Sequence, residues 1–234
     1  MSTAAVIALE QVRFSYGGRT VLDIPQLRIA AGSSVLLRGT SGSGKSTLLG
    51  LLAGVLRPEQ GEVVVAGTAV HALKPTARDR FRADHLGVIF QQFNLLPFLS
   101  VRDNIALGLR FAPARSARVG RVGRALEDEI LRLLQALHLD PDLLQRRAGT
   151  LSVGQQQRVA AARALIGGPA VLLADEPTSA LDREAVTAFL QLMAAQCAAA
   201  GTTVVVVSHD DSLQPLFDRV VQLQDINHAG AAHV

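Results

Sequence analysis

The stretch Gly39-Thr40-Ser41-Gly42-Ser43-Gly44-Lys45-Ser46-Thr47 is the most informative in this chain. It fits GxxxxGK[ST], a glycine-rich loop leading from a strand into a helix. Glycines let successive backbone N–H groups turn toward one anion, and a helix beginning at Lys45 adds the positive end of its dipole. Lys45 can reach the β- and γ-phosphates of a nucleotide, the Ser46 hydroxyl can ligate Mg2+, and Thr47 stands nearer the α-phosphate. The flanks suit this reading. Ser33 to Arg38 is a buried-strand pattern, and Lys45 to Leu52 reads as a helix that stops near Gly54 and Pro58.

Outward from the loop, short strands and helices alternate. Ala5 to Phe14 roughly alternates apolar and polar, Gly17-Gly18 marks a turn, Val21 to Ile29 is a second extended run and Ala31-Gly32 another turn. Glu62 to Val70 and Leu86 to Phe90 read as strands. The last third contributes strands at Val171–Ala174, Val204–Val207 and Val220–Leu223. It also carries a helix whose face is Val186, Phe189, Leu190, Met193 and Cys197, closed by Gly201. The middle is helical at Val101–Leu109, at Leu126, Ile130, Leu133, Leu134 and Leu137, and at Gln155–Ile166. Phe111 to Arg124 holds Pro113, Arg115, Arg118, Arg121 and Arg124 without an acidic residue. The Arg-rich segment Arg110 to Arg124 reads as a solvated basic loop, able to lie against anionic headgroups or an acidic partner loop. The pattern predicts one α/β domain with a helical insertion between two parts of a mostly parallel sheet.

Composition bounds the function classes. The 234 residues suffice for a sizeable core, and 49% hydrophobic with 18% charged residues argues against disorder. A single cysteine, Cys197, excludes an intrachain disulfide framework and cysteine-based zinc sites. The net charge of +3 is weak ground for polyanion binding, and with no Trp and one Tyr the chain lacks a base-stacking platform, so no nucleic-acid partner is expected. No apolar run nears the roughly 18 residues of a membrane span. Met1 to Val12 lacks a basic segment followed by an apolar one, so no signal peptide is expected.

Val171-Leu172-Leu173-Ala174-Asp175-Glu176 ends a buried strand in two carboxylates. Beside a phosphate loop, Asp175 can hold Mg2+, usually through water. Glu176 can polarise an attacking water as general base.

Further pieces fall in a fixed order. Leu151-Ser152-Val153-Gly154-Gln155 resembles the LSGGQ signature of ATP-binding cassette ATPases, and Gln156-Gln157-Arg158-Val159-Ala160-Ala161-Ala162-Arg163-Ala164-Leu165 continues the likeness. So do Asp175-Glu176-Pro177-Thr178, Ser179-Ala180-Leu181-Asp182 and Ser208-His209-Asp210. The resemblance runs from about Val6 to Leu223 and implies a P-loop NTPase (RecA-like) fold: a mostly parallel sheet, an N-terminal antiparallel β subdomain and an inserted α-helical subdomain. The core would be about 1–91 and 165–234, and the helical part about 92–164. It implies ATP and Mg2+ as ligands, Tyr16 stacking on adenine, and Gln91 touching Mg2+ and the attacking water. His209 would hydrogen-bond the γ-phosphate. Ser152 and Gly154, with Gln155 beside them, would serve the nucleotide of a second copy, the two arranged head to tail, and Asp182 would link the two sites. Val153 departs from the second Gly of the signature. A β-branched residue resists positive φ, so an ordinary backbone conformation is expected there.

Phe93-Asn94-Leu95-Leu96-Pro97-Phe98-Leu99-Ser100-Val101, followed by Asp103-Asn104-Ile105, is similar to the lipoprotein-release, macrolide-export and cell-division subgroup. That resemblance implies a membrane permease docked beside this segment, and hence a cytoplasmic protein peripheral to the inner face of the membrane. Its alternatives are an ATPase that activates an extracytoplasmic enzyme through a membrane partner, and one that drives an importer. Only about a hundred residues, without a heptad run, separate Lys45 from Leu151, which disfavours coiled-coil ATPases of DNA repair. Substituting Lys45→Ala removes a charge from the phosphate site and is expected to abolish ATP binding. Equilibrium binding of a fluorescent nucleotide checks this, and wild-type affinity would overturn the loop's assignment.

Overall fold

The computed structural model describes residues 5–121, 125–178 and 183–229. In chain order the strands and α-helices are β1 (Ala5–Tyr16), β2 (Arg19–Ala30), β3 (Ser34–Arg38), α1 (Lys45–Leu52), β4 (Gln60–Val65), β5 (Thr68–Ala69), α2 (Pro75–His85), β6 (Leu86–Ile89), α3 (Val101–Arg110), α4 (Pro113–Arg121), α5 (Leu126–Ala136), α6 (Val153–Leu165), β7 (Val171–Asp175), α7 (Arg183–Ala200), β8 (Thr203–Val207), β9 (Arg219–Gln222) and α8 (Leu223–Ile226). They form an antiparallel sheet, β2-β1-β4-β5, and an all-parallel sheet, β6-β7-β8-β3-β9.

The parallel strands are short apolar runs because both their faces are covered. Their alternation divides two cores. Leu36, Leu172, Ala174, Val204 and Val206 face the helical side, with Ile105, Ile130, Val159 and Phe189. Val35, Leu37, Leu173, Val205 and Val207 face α1 and the antiparallel sheet, with Leu48, Ile7 and Val63. The apolar stripe expected on α7 is buried as Val186, Phe189, Leu190, Met193 and Cys197, and burial pushes the Cys197 thiol up to about 12.

Two expectations need correction, and one helix was not expected. The run Glu62–Val70 is no single strand: Ala66 and Gly67, at φ 47 and 73, turn β4 back into β5. Pro75–His85 is a helix that the apolar pattern does not announce, since Phe81 is its one buried apolar residue. As far as it is described, to residue 121, the basic segment is no solvated loop, and Arg124 lies outside the described residues. Residues 113–121 form α4, and Arg115 is buried, donating to the carbonyls of Leu86 (3.0 Å), Ala164 (2.6 Å) and Ile166 (2.9 Å).

The carbonyls at the C-terminal end of α6 supply the negative pole that this guanidinium needs. Arg118 adds bonds to Gly167 O and Asp84 O, and Asp84 accepts the Ala114 N–H at the start of α4 (2.8 Å). Burial lowers Arg115 to about 10, so it stays charged at neutral pH. Arg115→Met leaves these buried carbonyls without donors and is expected to lower stability by about 3 kcal/mol, measured by urea unfolding.

Candidate functional site

Parallel pairing brings the predicted residues to one edge of the sheet. Val207 lies opposite Leu37 of β3 on one side and Asp175 of β7 on the other, while Ala174 lies opposite Ile89 of β6. Whatever follows these strands therefore meets beyond their C-terminal ends, where open α/β sheets bind ligands. There a cleft of about 660 Å³ is lined by Tyr16, Val21, Ser41, Gly42, Gly44, Lys45, Ser46, Thr47, Gln91, Asp175, Glu176 and His209.

The loop between β3 and α1 depends on its glycines. Gly42 and Gly44 have φ 77 and 102, in the left-handed region. A Cβ on Gly44 would also stand 2.8 Å from Leu22 Cδ2. Lys45 Nζ donates to the carbonyls of Gly39 (2.8 Å) and Thr40 (2.9 Å), so these two residues shape the loop without lining the cleft. Ser43 donates its N–H to Thr40 O, and its hydroxyl is buried without a protein partner, an atom that a bound oxyanion would satisfy.

Glu176 follows β7 at φ 45, a left-handed turn that costs a non-glycine residue about 1–3 kcal/mol. Its N–H donates to Val207 O (3.0 Å) and fixes it to β8. Its carboxylate is largely buried, at 15% exposure. Oε1 lies 2.8 Å from Nδ1 of His209, whose ring is 73% exposed. The His209 turn is secured in turn. Ser208 N–H donates to Leu37 O, Ser208 Oγ accepts from Asp210 N, and Asp211 pairs with Arg38 at the end of β3. This Arg38–Asp211 tie between the phosphate loop's strand and the histidine turn is not visible from either motif alone. Tyr16, which also lines the cleft, is half-exposed and meets Phe14 edge to face (4.8 Å between centroids).

Ser152, Gly154 and Gln155 stand apart from this cleft. They form the first turn of α6 as a reciprocal cap: Gln155 N–H donates to Ser152 Oγ (3.3 Å) and Ser152 N–H to Gln155 Oε1 (3.0 Å). The pattern S-x-x-Q is the sequence signal for it. Val153 is the first helical residue, exposed and without positive φ. Asp182 lies outside the described residues.

The cleft's possible metal donors are the Ser46 hydroxyl, the Gln91 amide oxygen and the Asp175 carboxylate, an oxygen set suited to a hard cation such as Mg2+. Among the described residues no group of three or more His, Cys, Asp or Glu could hold a metal ion by itself. The donor set therefore fits an ion completed by phosphate oxygens and water.

Comparison with known proteins shows the family. The family model described as ABC transporter matches residues 22–179. An uncharacterized ABC transporter ATP-binding protein of Mycobacterium bovis is 38% identical over 216 residues, 91% of this chain and 62% of that protein. The macrolide export ATP-binding/permease protein MacB 1 of Aeromonas hydrophila is 42% identical over 205 residues, 88% of this chain and 30% of its own length. The chain thus spans less than two thirds of these curated relatives. Among solved structures, the dimeric ABC transporter cassette MJ0796 is 33% identical with a TM-score of 0.79, covering 92% of this chain and 93% of that one. Its dimeric post-hydrolysis state bound to ADP and Pi is 32% identical with a TM-score of 0.78, at the same coverage. The chain therefore belongs to the ABC transporter family and is an ATP-binding cassette of the ABC ATPase type.

Proposed function

We propose that the chain hydrolyses Mg–ATP in this cleft, that two copies close head to tail around two nucleotides, and that closure drives a membrane permease of the exporter or lipoprotein-release type. The observation that carries the reading is the convergence of Lys45, Ser46, Gln91, Asp175, Glu176 and His209 on one cleft at the sheet edge. Lys45 and the loop's N–H groups neutralise phosphate charge, and Tyr16 meets the adenine. Ser46, Gln91 and Asp175 would hold Mg2+, which when bound would offset the charge that develops on the phosphates. Glu176 takes the proton of the water that attacks the γ-phosphorus as the bond to ADP breaks. His209 at 2.8 Å fixes the carboxylate's orientation and reaches toward the γ-phosphate.

The second copy is supported by the signature residues, which cap α6 away from the chain's own cleft. They expose a positive helix end to which a phosphate of another copy can come. Ser152, Gly154 and Gln155 then serve the partner's nucleotide, and the similar cassette MJ0796 is dimeric. The permease is supported by a groove of about 490 Å³ lined by Phe90, Asn94, Phe111 and Arg163 among others. Phe98 and Phe111 stand 67% and 74% exposed, apolar surface of the kind that marks a docking site. The export and permease functions named for the MacB relative point the same way. No helix among the described residues is long and apolar enough to cross a membrane, so in this reading the chain sits at the inner membrane face through its partner. The helical segment 92–164 then moves against a core of 1–91 and 165–234.

Glu176→Gln is expected to keep ATP binding, lower turnover by about 10²–10⁴-fold and trap an ATP-bound dimer, read by size-exclusion chromatography with light scattering. A tagged Glu176→Gln chain drawn from detergent-solubilised membranes with ATP tests the rest. A few-span permease with a large external domain is the expected companion, a many-span permease would move the reading to an importer, and no membrane protein would remove the transport role. Phe111→Glu is expected to lose that companion while the purified chain's ATPase rate stays within about twofold.

A further inference from the structure

Two consecutive non-glycine residues just after Gln91 are left-handed: Phe93 at φ 59 and Asn94 at φ 50. Each costs about 1–2 kcal/mol on its own, and a phenylalanine has no side-chain oxygen with which to stabilise such a turn locally. Local bonds account for part of the hold, Phe93 N–H to Phe90 O (2.9 Å) and Asn94 N–H to Gln92 O (2.6 Å). The rest comes from seventy residues away. Arg163 places one arm of its guanidinium on Phe93 O and the other on Asn94 O, both at 2.6 Å. A planar fork with two parallel donors matches two adjacent carbonyls, and a lysine ammonium cannot span them with the same geometry.

Arg163 belongs to α6, whose other end is the Ser152–Gln155 cap, about 16 Å along the helix axis at 1.5 Å per residue. The same helix reaches a second segment of the cleft. Gln157, fully buried, donates Nε2 to Pro177 O, the carbonyl that directly follows Glu176. One rigid helix thus grips the backbone just beyond Gln91 and just beyond Glu176, and presents at its head the residues that a second copy would meet.

We infer that Arg163 is a positioning residue: it holds the segment after Gln91 in its left-handed form and couples the cleft's Gln91 wall to the signature helix. The inference rests on the ATPase reading above and deepens it. Its effect falls on alignment for hydrolysis, because Arg163 does not line the nucleotide cleft. A displacement of about 1 Å at a reacting centre costs up to about 100-fold in rate.

The test uses the full chain with Arg163→Lys and, independently, Asn94→Val. Asn94 is exposed, so a valine there burdens only the backbone, which a β-branched residue will not take to φ 50. Steady-state ATPase kinetics, nucleotide Kd by fluorescence and thermal melting are measured on each. In both variants kcat is expected to fall about tenfold or more, with Kd for ATP within about twofold, and the double variant is expected to lose no more than the larger single loss, as residues sharing one mechanism do. An unchanged kcat in either variant, a Kd that rises in step with the loss, or losses that multiply would overturn the inference. If Arg163→Lys does not fold, the kcat and Kd of Asn94→Val decide alone. A wild-type chain without ATPase activity would overturn the functional reading itself, whereas an active wild type with unaffected variants would overturn only the role of Arg163.

Discussion

The register of β8 between its two neighbours is the constraint on which the rest depends. Val207 faces Leu37 on one side and Asp175 on the other, so the phosphate loop, the Asp175–Glu176 pair and the His209 turn leave the sheet at one level. A slip of one residue would turn every strand side chain to the opposite face, exchanging the contents of the two cores that the sheet separates. The cost of that exchange is what makes the register, and therefore the cleft, unique. The helices and hairpins would not align six polar side chains without it; the apolar interior sets the geometry of the polar site.

Around that rigid edge the backbone carries strain beside the cleft. Glu176, Phe93 and Asn94 all take positive φ without being glycine. Each is held by a bond from outside its own turn: Val207 O for the Glu176 N–H, and the Arg163 guanidinium for the other two. Strained residues persist when their surroundings over-determine them. Here the determining groups sit on the sheet and on α6, so the conformation of each of these turns depends on elements beyond it.

Much of this was legible in the sequence, for a physical reason. The phosphate loop, Asp175–Glu176 and Ser208–His209 are each a buried apolar run followed at once by polar residues, and a strand end fixes what comes next. The pieces that stayed hidden depend on partners distant in the chain. Arg115 belongs to a run of like charges, which reads as solvated. Its partners are main-chain carbonyls at Leu86, Ala164 and Ile166, and carbonyls leave no mark on composition. The helix Pro75–His85 buries too little apolar surface to show a stripe, and Pro75 at its first position was its one local signal. The Arg163 bonds to Phe93 and Asn94 join residues seventy apart, so neither motif contains them.

Cys197 has a practical consequence. It is the chain's only cysteine, buried on α7 with its thiol raised to about 12, so the thiolate that attacks alkylating reagents is almost absent at neutral pH. A cysteine introduced at an exposed position, Val153 at the head of α6 for instance, would be the one thiol able to take a spin label or a fluorophore. The separation between two such labels in a pair of chains could then be followed through a catalytic cycle without first rebuilding the core to silence a native thiol.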